Sequence, residues 1–259
     1  MDFQLLPIDE FQTFLICLAR VAGFIGAIPV FIGNQTPAQV KTGFVFMAAL
    51  VLFPVMEPTM VSVSLDPVNF FLLISAEVLL GGMIALIARM IFTAVEYGGT
   101  VIGYQMGFAA ANIFDPQNER QLSLISQFQN VFAILIFLAI DGHHVFFQVA
   151  VESYTLLPPG AFNISGEAIP YLLTLSSRIF FLGIQFSAPV LAVLLLSGLV
   201  LGVLSRVFPQ LNVFLLSFPL NIGLSFTVIG LTLPLVTILL RREFDDLANR
   251  FFTVLQMLN

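Results

Sequence analysis

Two stretches in the C-terminal third decide what this chain can fold into: residues 179–205 hold no charged side chain over 27 positions, and residues 207–240 hold none over 34. A hydrocarbon core about 30 Å thick is crossed by roughly 20 apolar residues in helical form, so each run can span one. Where they meet lies Arg206-Val207-Phe208-Pro209-Gln210-Leu211-Asn212, a compact polar turn built around a helix breaker. The two runs therefore predict a helical hairpin.

The upstream apolar stretches are less clean. Residues 11–32 carry only Arg20 and end at Gly33-Asn34-Gln35-Thr36-Pro37; residues 42–56 are opened by Lys41 and closed by Pro54 and Pro58. Residues 68–92 are interrupted by Glu77, Gly81-Gly82 and Arg89, and residues 94–114, rich in small side chains, stop at Asp115-Pro116. Residues 122–140 are free of charge up to Asp141-Gly142-His143-His144, and residues 145–157 contain Glu152 and close at Pro158-Pro159-Gly160. Composition changes near residues 160–170, and a short amphipathic tail follows Arg241-Arg242. The pattern predicts an all-α membrane protein of kinked helical hairpins.

Composition excludes several classes. With 59% apolar and 9% charged residues and a mean hydropathy of +1.03, the chain lies far from the soluble average of roughly 45–50% apolar and 25% charged. Nine cations against fifteen anions form no basic stripe for nucleic acid. The lone cysteine, Cys17, sits in an apolar run and reads as a small hydrophobe. Met1-Asp2-Phe3-Gln4 offers no positive n-region, so no removable signal peptide is expected. The few cations fall on both sides of the hairpin and set no orientation. With 29 phenylalanines and no tryptophan, much of the aromatic surface is expected to face protein rather than lipid headgroups.

Breaks in a lipid-embedded helix are tolerated only where protein or trapped water covers the freed backbone groups. Pro29, Pro54, Pro189, Pro209, Pro219 and Pro234 lie within or beside the apolar runs, with Gly81-Gly82 and Gly98-Gly99. Sheltered, kinked helices follow. Arg20, Glu77, Arg89, Glu96 and Arg178 are charges inside apolar blocks, expensive in hydrocarbon unless they face protein or a watery lumen. They read equally as structural ion pairs or as part of a pathway. Glu77 or Glu96 as a proton relay would make the chain a proton-coupled secondary transporter, although a paired cation such as Arg89 would suppress that role.

Asp141-Gly142-His143-His144 contains metal-ligating residue types. One short turn without a second ligand cluster elsewhere is expected to be structural, so the sequence assigns no metal and no cofactor. No HExxH, GxSxG or phosphate-loop spacing occurs, and no enzyme is expected. Residues 103–116, Gly-Tyr-Gln-Met-Gly-Phe-Ala-Ala-Ala-Asn-Ile-Phe-Asp-Pro, place small residues beside Met106, Phe108, Ile113 and Phe114. Either this is a close-packed small-residue helix pair, or it is a hydrophobic constriction that closes a lumen without charge.

The turn 206–214 followed by Phe218-Pro219, Asp141-Gly142-His143-His144 with Glu152-Ser153-Tyr154, and Arg20-Val21-Ala22-Gly23 with Pro29 together resemble the FliR/SctT type of the type III secretion export-gate family. The resemblance covers essentially the whole chain. It implies a FliP-like part, residues 1–165, fused to a FliQ-like hairpin, residues 166–259. It further implies one copy per closed pore with FliP and FliQ, contact with FlhB and FlhA, passage of unfolded flagellar proteins, and a place in the bacterial inner membrane at the flagellar basal body. A plug in this family matches residues 107–121, so Met106, Gly107, Phe108, Ile113, Phe114, Asp115 and Pro116 are the expected plug residues. Arg206, Pro209, Gln210 and Asn212 are the expected hairpin-turn interface with FlhB.

Overall fold

A computed structural model describes residues 8–26, 28, 37–56, 66–107, 124–163 and 166–259. Among the described residues there are eight helices and no strand: α1 (Ile8–Gly26), α2 (Ala38–Met56), α3 (Pro67–Gln105), α4 (Leu124–Ala139), α5 (Gly142–Leu156), α6 (Ala168–Val207), α7 (Val213–Asp245) and α8 (Leu247–Met257). Four stretches are long and apolar enough to cross a membrane: Ala38–Met56, Pro67–Gln105, Ala168–Val207 and Val213–Met257. The bent pair α4 and α5 makes a fifth if taken as one span. The chain is an all-α membrane protein.

Helix α3 runs unbroken for 39 residues where two segments are expected from the sequence. Its only proline, Pro67, occupies the first helical position, where no N–H is needed. Its glycine pairs do not end it, because Gly81, Gly98 and Gly99 lie against neighbouring backbone or side chains. The first helix is expected to reach residue 32; the described helix stops at Gly26, and residues 29–36 lie outside the described residues. Pro54, Pro189, Pro219 and Pro234 all sit inside helices.

The chain forms two compact units, which divide α3, α4, α6 and α7 along their lengths. In the first, built from residues up to 90, 137–175 and 243–259, α1 packs on α2 and α5, and α8 on α5. Ile16, Cys17, Val21, Phe24 and Ile25 of α1 recur at helical spacing and are fully buried. Cys17 is fully buried, and its thiol donates to Met56 Sδ at 3.5 Å. A run of edge-to-face rings links Phe244, Phe137, Phe146 and Phe251, with centroids 5.3 to 6.0 Å apart. The amphipathic tail, α8, is thereby anchored; Arg250 Nη2 donates to Glu243 Oε2 at 2.6 Å and its Nε to Asp246 Oδ2 at 2.9 Å.

The second unit comprises residues 91–136 and 176–242. Its core gathers Ile102 of α3, Met106 in the turn that follows it, Ile125 of α4, Val190 and Leu194 of α6 and Ile229 of α7. Small residues set the spacing: a Cβ on Gly98 would lie 2.7 Å from the Gly183 carbonyl oxygen, and one on Gly99 2.5 Å from Ser126 Cα. Across the hairpin, Ser197 Oγ donates to Asn221 Oδ1 at 2.9 Å. The turn itself is tight, with Phe208 N–H on Leu204 O at 2.9 Å and Leu211 N–H on Phe208 O at 3.0 Å. Asn212 Oδ1 then accepts the Leu215 N–H at 3.3 Å, capping α7.

Candidate functional site

The first unit holds a buried ionic centre assembled from three helices. Arg20 on α1 and Glu77 on α3 are each 1% exposed. The guanidinium meets the carboxylate in bidentate fashion, Nε on Oε2 and Nη2 on Oε1, the latter at 2.9 Å. Nη1 donates to Leu157 O at 2.9 Å and to Ser153 Oγ at 3.3 Å. The Tyr154 ring lies beneath the guanidinium, 3.9 Å from centroid to Cζ, adding a cation–π contact in a desolvated place. Charge buried in this way persists only when its hydrogen bonds are satisfied, and here both carboxylate oxygens are occupied.

Backbone proximity makes the short reach possible. Gly23 follows Arg20 by one turn, Gly81 follows Glu77 by one turn, and the two glycines pack backbone to backbone. The sequence marks Arg20, Glu77 and Gly81, but not that they converge with Ser153 and Tyr154. The signal for that is a polar pair, Ser153-Tyr154, in an otherwise apolar helix. The other charges go elsewhere: Arg89 and Arg178 are exposed and Glu96 is half-buried.

Of the expected plug residues, Met106 is fully buried in the core of the second unit and Gly107 lies in the turn just after α3. Phe108, Ile113, Phe114, Asp115 and Pro116 lie outside the described residues. Gly107 has φ +95°, which favours glycine, and a Cβ there would lie 2.7 Å from Phe218 Cε1. Gly107→Ala is therefore expected to cost about 1–3 kcal/mol from backbone and ring together. A detergent unfolding midpoint measures the loss, and adding Phe218→Ala should recover only the part due to the ring. Arg206, Pro209, Gln210 and Asn212 are all exposed at the hairpin turn, beside exposed Val207, Phe208 and Leu211. At the other turn of interest, donor atoms of Asp141, His143 and His144 lie within 4.8 Å of one another.

Long apolar helices around a buried, fully partnered Arg20–Glu77 ion pair define a membrane protein whose interior charge holds helices together. Residues 11–247 match the family described as Bacterial export proteins, family 1. The chain belongs to that family, as its motifs lead one to expect. It is 35% identical over 241 residues to flagellar biosynthetic protein FliR of Bacillus subtilis (strain 168), covering 92% of each chain. The protein of the same name from Pectobacterium carotovorum subsp. carotovorum is 30% identical, covering 93% of this chain and 91% of that one. For FliR of Escherichia coli (strain K12) the identity is 28%, over 90% and 88%.

Proposed function

We propose that this chain is the single-copy FliR-type subunit of a flagellar type III export gate. It forms a closed pore with FliP and FliQ in the bacterial inner membrane, at the flagellar basal body, and unfolded flagellar proteins pass through. One observation carries this reading. Helix α6 has 40 residues, about 60 Å at 1.5 Å per residue, twice a bilayer core of about 30 Å. Yet Leu173, Phe181, Leu195, Leu199, Val203 and Val207, spread along that whole length, are each more than half exposed. Lipid tails cover only about half of such a helix, so neighbouring protein must cover the rest.

In this reading residues 1–165 are the FliP-like part and residues 166–259 the FliQ-like hairpin, whose exposed turn at Arg206, Pro209, Gln210 and Asn212 meets FlhB, with FlhA nearby. Residues 107–121 close the pore. The subunit is a conduit and not a catalyst. The competing transporter reading loses its buried candidate, because both oxygens of Glu77 are taken by Arg20.

Co-expression with FliP and FliQ followed by native mass spectrometry should give a complex with one copy of this chain; a self-sufficient, monodisperse monomer in lipid would overturn the assignment. Within such a complex, Phe108→Ala with Phe114→Ala should leak small ions while assembly persists. A double variant as tight as the parent would remove the plug.

A further inference from the structure

The turn between α4 and α5 is closely packed. Asp141 is the one non-glycine residue with positive φ among the described residues, at 58°. Gly142 is buried beneath the Phe137 ring, and a Cβ there would lie 2.5 Å from Phe137 Cε2. Asp141 occupies the N-cap of α5, yet its carboxylate makes no capping hydrogen bond. The second and third residues of α5 are His143 and His144, so all three side chains leave one short turn. The consequence is a convergence of donors: one ligand atom from each of the three residues falls within 4.8 Å of the others. The two imidazoles lie 4.3 Å apart between centroids. His143 Nδ1 is buried with no hydrogen-bond partner among the described residues, an orphan that calls for a proton donor or an ion.

We propose that Asp141, His143 and His144 form a binding site for a divalent transition-metal ion of the zinc type. Two imidazole nitrogens and one carboxylate oxygen suit zinc, cobalt, nickel or copper, whereas magnesium and calcium prefer all-oxygen shells. A tetrahedral ion with bonds of about 2.0–2.2 Å needs its ligand atoms about 3.3 Å apart. Asp141 and His144 are both exposed, so their side chains have room to rotate toward that spacing. The helix N-terminus carries a partial positive charge that opposes a cation, and the Asp141 carboxylate offsets it. Three protein ligands leave one position open to water or to a donor from a neighbouring chain. The residue types are visible in the sequence; their convergence, and the orphaned nitrogen, come from the fold.

The test is a Co²⁺ titration of the full-length chain in detergent, purified through a tag without histidine. The expected result is a visible d–d spectrum that saturates at one ion per chain, displaced by Zn²⁺ and unaffected by Mg²⁺. His144→Ala and Asp141→Asn alter exposed side chains and leave the Gly142–Phe137 packing in place; each should weaken binding at least about tenfold, with helicity by circular dichroism unchanged. If His143→Ala fails to fold, those two variants still decide. A chain that gives no stoichiometric Co²⁺ spectrum, or variants that bind as well as the parent, would overturn the site.

Discussion

Glu77→Gln is expected to destabilise the folded chain by about 3–5 kcal/mol, the penalty for leaving one member of a buried ion pair uncompensated. Arg20 would remain buried, 1% exposed, its charge facing only neutral groups: the amide now at position 77, the Leu157 carbonyl, the Ser153 hydroxyl and the Tyr154 ring. That is a large share of the roughly 5–15 kcal/mol that separates folded from unfolded chains. The midpoint of thermal unfolding in detergent, followed by circular dichroism, reads it directly. Arg20→Met combined with Glu77→Leu removes both charges and keeps the volume, so the double variant should be clearly more stable than Glu77→Gln alone. A Glu77→Gln chain that unfolds with the parent would mean the pair holds nothing.

Gly81→Ala should be nearly as damaging, at about 3 kcal/mol or more, because the obstacle is backbone. Its new Cβ would lie 2.5 Å from Gly23 Cα, where carbon atoms need about 3.5–4.0 Å. Neither helix has a side chain there that can turn aside, so α1 and α3 must separate by roughly 1 Å. One turn away, the bidentate Arg20–Glu77 contact would stretch with them. The neighbouring Gly82 supplies the control: nothing lies within 4 Å of a Cβ placed there. Gly82→Ala should be neutral, or stabilising by up to about 1 kcal/mol through helix propensity. Equal losses at both positions would dismiss the glycine contact as the cause.

Much of this architecture is legible along the chain. The charge-free runs at 179–205 and 207–240 give α6 and α7, and the Pro209-Gln210 turn joins them where the polar residues fall. The amphipathic tail becomes α8. Other readings depended on neighbours. Gly81-Gly82 and Arg89 look like interruptions, yet α3 continues through them, since a glycine pressed against another backbone is held helical by packing that no local window contains. Arg89 is the nearest cation to pair with Glu77 in sequence, but Arg20, 57 positions away, is its partner. The order of Ser153 and Tyr154 in the motif says nothing of the guanidinium they support.

Hydropathy and motif order, read along the chain, are enough to show that it is helical, lives in a membrane and belongs to the export-protein family, because both are properties of neighbouring residues. Which buried charge meets which, where two glycines let helices touch, and how closely the ligand atoms of Asp141, His143 and His144 approach one another were set by the fold. Those are contacts between side chains brought together by packing, and an apolar pattern repeated along every helix does not distinguish one partner from another.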